Sequence, residues 1–177
     1  LSFWIALPLG IFITGILGLV IERTFLRAMV GEPVFSVAIL TIGIDILIRT
    51  VLDDWIGLNP RYMGDSFSMM GNFGSLNIGG VSLKYLELTA LVAAIVVIAL
   101  LSIFFKFSKY GLAMRATSFD QEASLAQGIN VGRVIALVWF IAAMLASLSG
   151  FFITGGFNGL TQASFVTALR ALPAIVI

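Results

Sequence analysis

The fold is decided by an uncharged run at residues 1–21, which reads LSFWIALPLGIFITGILGLVI. An apolar helix of about 20 residues is what the hydrocarbon core of a bilayer requires. The whole chain of 177 residues is 60% hydrophobic and only 11% charged, whereas soluble domains carry about 25% charged residues. We therefore expect an integral membrane protein.

Three further segments have the same apolar character, and a short fourth one resembles the start of another span. They are residues 34–52, 88–105, 134–153 and 172–177. Irregular backbone cannot face lipid, and no segment alternates polar and apolar residues as a barrel strand does, so we expect helices. The predicted fold class is all-α, a polytopic transmembrane helix bundle in one membrane domain over residues 1–177. Both ends lie inside apolar runs, which predicts an internal fragment.

Charged residues in the loops predict the orientation of the spans. The first and third loops are basic, with Arg23, Arg27, Lys106, Lys109, Arg115 and Arg133. Such loops face the cytoplasm. The second loop, residues 53–87, is more acidic and is expected outside. Its stretch 75–84, SLNIGGVSLK, alternates around a Gly-Gly turn and predicts a β-hairpin, either a cap over the helices or a dock for an external partner, with the cap favoured.

The composition excludes several classes of function. Ten basic and nine acidic residues give a net charge of +1, too balanced for the basic patch that nucleic-acid binding needs. The chain has no cysteine and no histidine, which removes thiolate nucleophiles, imidazole bases and His/Cys metal clusters. It also lacks the Gly-x-x-x-x-Gly-Lys-Ser/Thr loop for nucleotide. We expect no enzyme, no cofactor, no metal site and no nucleic-acid partner.

Two charged residues, Asp45 and Arg49, lie inside the second predicted span. Each charge at the centre of a span costs about 2.5–3.5 kcal/mol. Their i,i+4 spacing, with the acid first, favours an ion pair, and Asp53 repeats the step. Either this ladder neutralises itself while Arg49 reaches towards the surface, or the pair faces a water-filled pathway and contacts a zwitterionic solute.

Small residues recur at four-residue spacing in the first and fourth spans. They are Gly10, Thr14, Gly18, Ala142, Ala146 and Gly150. This spacing lets two helix backbones approach closely. We assign these residues to helix packing within the bundle rather than to a seam between subunits.

The third loop contains a predicted short helix at residues 119–127. Ser118 and Gln121 have the spacing of a capping box, Asp120 suits a helix N-terminus, and Gly128 supplies a stop. A helix of this length is not stable alone in water, so it must pack on something. Its alanines leave a flat surface, which favours docking on a protein over lying on lipid headgroups.

The sequence of this loop resembles a known family. Residues 122–128, EASLAQG, are similar to the Glu-Ala-Ala-x-x-x-Gly coupling motif of ABC transporter permease subunits, with Ser124 in place of the second alanine. The surrounding residues 111–116 and 128–131, together with Glu22-Arg23, Arg27, residues 39–43 and Arg49, look like branched-chain amino acid permeases of the Liv type. The resemblance extends from Glu22 to about Gly150.

The resemblance implies a multi-pass subunit of the bacterial inner membrane that takes part in an ATP-driven importer. Its partners would be a second permease, cytoplasmic ATP-binding subunits and a periplasmic or extracellular solute-binding protein. The residues implied in coupling to the ATPase are Arg115, Asp120, Glu122, Ala123, Ser124 and Gly128. Branched-chain amino acids or related small polar solutes would be the cargo. Asp45 departs from the small polar residue usual there, a difference that bears on which substrate is carried. The charges at Asp45 and Arg49 also leave a secondary carrier or channel as the alternative.

Overall fold

The structure is a computed structural model that describes residues 3–29, 34–56, 75–78 and 81–156. The predicted start of a fifth span at residues 172–177 lies outside the described residues, as does most of the second loop.

Four long helices within these ranges contain stretches that are long and apolar enough to cross a membrane. They are α1 (Phe3–Ile21), α2 (Val34–Ile56), α3 (Tyr85–Phe107) and α6 (Val131–Gly156). The four predicted spans and the all-α class are confirmed. The helices run past most of the predicted ends because hydropathy marks where a span becomes charged, whereas backbone hydrogen bonding continues through the charges.

The chain leaves α1 through irregular helical turns. A π-helical turn, Glu22–Leu26, is followed by a 3₁₀ turn, Arg27–Met29, and the N–H of Arg27 donates to the carbonyl oxygen of Glu22. We call these residues, 22–29, the first loop. A π-helical turn in a longer helix is rare and is found most often at functional sites.

The predicted hairpin is confirmed by two antiparallel strands, β1 (Ser75–Ile78) and β2 (Val81–Lys84). Ser75 pairs with Lys84 and Ile78 with Val81. The two glycines between the strands, Gly79 and Gly80, lie outside the described residues.

Two short helices occupy the third loop, where one was predicted. They are α4 (Lys109–Phe119) and α5 (Gln121–Ala126). The predicted start at Phe119 and the capping role of Ser118 are wrong. Ser118 still belongs to α4, and its hydroxyl donates to the carbonyl oxygen of Arg115 at 2.8 Å, so it is not placed to cap the next helix.

The chain divides into two compact units, Leu1–Ala38 with Thr89–Leu148 and Ile39–Leu88 with Ser149–Ile177. In the first unit the buried apolar side chains are Leu26, Met114, Val131 and Val134. These lie in the basic loops and the helix start that follows them, which places the core of this unit at its predicted cytoplasmic end. In the second unit the described buried apolar side chain is Ile44.

Within the first unit α1 packs antiparallel against α6. Thr14 Oγ1 lies 3.4 Å from Ser147 Oγ, and the rings of Phe12 and Phe140 meet edge to face with centroids 6.0 Å apart. A Cβ added to Gly18 would lie 2.6 Å from the Cβ of Ala143. Such an approach of two backbones is possible only with glycine at the contact.

Candidate functional site

The candidate site is built on the basic segment, residues 106–133, which contains α4, α5 and the start of α6. The hydroxyl oxygen of Ser108 accepts the N–H of Tyr110 at 3.2 Å and caps α4. Gly111 then lies against the end of α3, where an added Cβ would be 2.6 Å from the carbonyl oxygen of Phe104. This close approach requires glycine and fixes the direction in which α4 leaves the membrane helix.

Asp120 separates α4 from α5 and caps the second helix. Its backbone is extended, with φ −155° and ψ 115°, and its Oδ1 accepts the N–H of Ala123 at 3.0 Å. An aspartate at this position satisfies one of the free N–H groups of the first turn. The site residue Asp120 therefore acts locally as the N-cap of α5.

The predicted stop of α5 at Gly128 is confirmed. Gly128 has φ +81°, a conformation that glycine adopts without strain. Its N–H donates to the carbonyl oxygen of Leu125 at 2.9 Å, and that of Ile129 donates to Ser124 at 3.0 Å. This is a Schellman arrangement. Both ends of α5 are thus closed by specific hydrogen bonds.

The link from α5 to α6 is short. Asn130 caps α6, because its Oδ1 accepts the N–H of Arg133 at 3.1 Å, and α6 itself begins at Val131. Between the stop at Gly128 and this cap there is only Ile129. Very little flexible chain therefore separates α5 from α6.

α5 is largely exposed, and Ser124, 4% exposed, is its one buried residue. The remaining predicted site residues Arg115, Glu122 and Ala123 are exposed, as is Ala126. Sequence reasoning missed two large apolar side chains beside them, Phe119 at 91% and Leu125 at 58% exposure. The sequence feature that could have indicated this exposed apolar surface is an aromatic residue next to charged ones in a loop predicted to face water.

The second candidate site is the charged pair on α2. Arg49 Nε lies 2.9 Å from Asp45 Oδ2, and 34% and 45% of their side chains are exposed, respectively. The predicted pairing of these two residues is therefore observed. The side chain of Asp53, the third rung of the predicted ladder, is not among those that the structure describes.

The six small residues assigned to packing have different environments. Thr14 and Gly18 lie at the contact between α1 and α6. At Gly10 and Gly150 an added Cβ would meet no described atom within 4 Å, and Ala142 and Ala146 are exposed. The contact also uses residues that the spacing did not select, namely Gly15, Trp139, Phe140, Ala143, Met144 and Ser147.

Comparison with known families covers the chain from end to end. The model of the permease component of the branched-chain amino acid transport system matches residues 1–177. The chain belongs to this permease family. It is accordingly a multi-pass membrane protein and a permease component of an ABC transport family, not its ATPase.

The relatives of this permease are distant. It is 25% identical over 175 residues to the high-affinity branched-chain amino acid transport system permease protein BraD of Pseudomonas aeruginosa, covering 97% of this chain and 56% of that protein. It is 26% identical over 180 residues to LivH of Salmonella typhimurium, covering 98% and 58%. LivH of Escherichia coli is 25% identical with the same coverage. The chain thus spans a little over half the length of these relatives. No solved structure matches it.

One residue of this permease with an unusual environment was not selected as a site residue from the sequence. Glu22, at the start of the first loop, is 1% exposed. Its Oε1 has no hydrogen-bond partner among the described residues. The sequence feature that could have indicated its burial is its position, four residues after Gly18 on the face of α1 that also carries Thr14.

Proposed function

We propose that this permease is part of a subunit of an ATP-driven importer in the bacterial inner membrane, carrying branched-chain amino acids or related small polar solutes. Its partners are a second permease, cytoplasmic ATP-binding subunits and a periplasmic or extracellular solute-binding protein. The observation that carries the proposal is α5, a helix capped at both ends, with an open face, on a segment predicted to be cytoplasmic.

The open face of α5 supports a protein partner. A helix of six residues is far too short to be stable by itself in water, and here it is held by the Asp120 cap, the Gly128 stop and the buried Ser124. Phe119, the last residue of α4, and Leu125 of α5 remain exposed. Exposed apolar surface outside the membrane marks sites of contact with a protein or a membrane.

A lipid surface is less suitable for the same face. Asp120 and Glu122 flank the apolar side chains and are exposed. The cytoplasmic leaflet carries a negative surface potential, which repels carboxylates. Amphipathic helices that lie on headgroups are instead rich in Lys and Arg on the polar face. The charges of α5 therefore favour a partner with basic or neutral residues around an apolar groove.

Coupling follows from the way α5 is attached. When the ATP-binding subunits close on nucleotide, they displace α5, and the short link at Ile129 and Asn130 passes this displacement to α6. Nucleotide then shifts the population of inward-open and outward-open states, because its binding energy differs between them.

The ion pair on α2 supports a binding site for the solute at Asp45 and Arg49. A zwitterionic amino acid carries an ammonium and a carboxylate, which Asp45 and Arg49 would each complement by charge. The same ion pair inside a span also favours the alternative of a secondary carrier or channel, because buried ionisable residues serve ion coupling in such proteins. Uptake by proteoliposomes that contain no ATPase would support this alternative.

The decisive experiment uses the full-length parent protein. It is co-purified with its ATP-binding subunits, second permease and solute-binding protein, and the solute retained by the binding protein is identified by mass spectrometry. We expect ATP-dependent uptake of that solute into proteoliposomes. Glu122→Lys and Gly128→Trp should abolish ATPase binding and uptake. Intact binding and uptake in both variants would contradict the docking role of α5.

A further inference from the structure

The feature that the proposed function does not use is the buried carboxylate of Glu22. The side chain is 1% exposed, and its Oε1 accepts no hydrogen bond from any described residue. Buried polar atoms in proteins are almost always paired, and an unpaired buried acceptor is costly. The unpaired oxygen of Glu22 therefore calls for an explanation.

Glu22 lies on the line of contact between α1 and α6. It extends by one more step of four residues the face of α1 that bears Thr14 and Gly18. Thr14 lies beside Ser147, and an added Cβ on Gly18 would be 2.9 Å from the carbonyl oxygen of Trp139. Because the helices are antiparallel, Glu22 is located towards the start of α6, the end that follows α5.

Arg27, in the same loop, reaches the start of α6. The N–H of Arg27 closes the π-helical turn on the carbonyl oxygen of Glu22. A Cβ added to Gly132 would lie 3.7 Å from Arg27 Nη2 and 3.6 Å from Oδ1 of Asn130, the cap of α6. The guanidinium group thus lies against bare backbone at the first turn of the helix that α5 moves.

We propose that Glu22 and Arg27 are positioning residues for coupling, which hold the link between α5 and α6 to the end of α1. This inference rests on the proposed function. In the structure Arg27 lies against Gly132, and Oε1 of Glu22 has no donor among the described residues. When α5 pulls the start of α6 away, the guanidinium group is released and donates to Glu22. The first loop is then a two-state element, which ties the end of α1 to the start of α6 until nucleotide acts on α5 and releases it afterwards.

The test uses the complete transporter in proteoliposomes, with solute transported per ATP hydrolysed as the readout. Glu22→Gln and Arg27→Gln should each lower this ratio about tenfold, which is the size expected for losing one hydrogen bond to a charged group. ATPase co-purification should stay unchanged, and Arg27→Lys should restore part of the ratio. The matched controls are Glu87→Gln and Arg23→Gln. The second changes an exposed neighbour in the same loop.

The double variant tests whether the two residues act as a pair. If they do, Glu22→Gln with Arg27→Gln should be no worse than the more severe single variant, because interacting residues are not additive. Two independent losses that multiply would overturn the pairing.

Failure of this inference is distinguishable from failure of the proposed function. If the wild-type complex takes up solute with ATP but both single variants keep the normal ratio, the positioning role is wrong while the importer stands. A fall of uptake and hydrolysis in proportion, following the amount of folded protein, would show a merely structural role and also overturn it. Absence of ATP-dependent uptake in the wild type would remove the proposed function itself.

Discussion

At Gly18 the backbones of α1 and α6 approach so closely that a single methyl group is not accommodated. An added Cβ would be 2.6 Å from the Cβ of Ala143 and 2.9 Å from the carbonyl oxygen of Trp139. The second of these atoms is backbone and cannot rotate away. At Gly15 the atoms met at 2.7 Å and 2.8 Å belong to the side chains of Phe140 and Met144, which have other rotamers available.

We predict that Gly18→Ala destabilises the protein by about 1–3 kcal/mol, the range observed for overpacking. Gly10→Ala is the matched control, because it changes the same helix and meets no described atom within 4 Å. The gain in helix propensity from Gly to Ala is then the same in both variants. Unfolding in detergent micelles, followed by circular dichroism, measures the difference. Equal stability of the two variants would show that the contact is not tight.

The ion pair on α2 gives the second prediction at this scale. Asp45→Asn leaves Arg49 without the carboxylate at 2.9 Å, so stability should fall. Asp45→Asn combined with Arg49→Gln should be more stable than the sum of the single losses predicts, by an interaction energy of about 1 kcal/mol. Unfolding of the four proteins measures this cycle.

Transport by the same variants in the assembled complex decides between the two interpretations of the pair. Full uptake in the double variant, with altered stability only, would leave Asp45 and Arg49 as a self-neutralising pair. Loss of uptake with normal assembly would assign them to the pathway.

At the scale of elements, the long helices were predictable and the short ones were not. A continuous apolar run of membrane-spanning length can cross lipid only as a helix. The four predicted spans were therefore correct to within a few residues at each end. The start of α5 was wrong because Ser118 and Asp120 are both good caps, and the choice between them depends on where α4 ends. That end is set by contacts such as Gly111 against Phe104, which the local sequence does not encode.

Burial was equally hard to infer at Glu22 and Phe119. Sequence places a glutamate near a membrane border and a phenylalanine in a loop, and the usual expectation is an exposed acid and a covered ring. The structure has the opposite, 1% exposure for Glu22 and 91% for Phe119. Neither follows from periodicity, because both depend on how the first loop, α4 and α6 pack in space.

Two substitutions separate the role of Asp120 as the N-cap of α5 from the role of its charge in binding a partner. Asp120→Ala removes the acceptor of the Ala123 N–H and should cost about 1 kcal/mol of helix stability. Asp120→Asn keeps an acceptor of similar capping strength but removes the charge. We therefore expect Asp120→Ala to weaken co-purification with the ATPase and Asp120→Asn to retain it. Equal loss in both variants would mean that the partner binds the carboxylate itself.

At the scale of the whole molecule, the alternation of loop charges predicts which loops lie on the same side of the membrane. Residues 22–29 and 106–133 carry basic residues that should stay in the cytoplasm, whereas residues 53–87 should be outside. Two loops that meet the same compartment are consistent with the antiparallel packing of α1 on α6, which places Arg27 beside Gly132. The proposed coupling role of α5 requires the same arrangement, because ATP is available on the cytoplasmic side only.

Cysteine labelling tests this topology directly, since the chain has no cysteine of its own. In a cysteine-free full-length protein, Ser66→Cys in the second loop should react with a membrane-impermeant maleimide on intact spheroplasts. Ser118→Cys in the basic segment should react only after the membrane is made permeable. Ser118 is exposed in the structure, so lack of labelling on intact spheroplasts would reflect the membrane and not burial. Labelling of Ser118→Cys from outside would invert the orientation and remove α5 from reach of any cytoplasmic ATPase, whereas the observed packing of α1 on α6 would be unaffected.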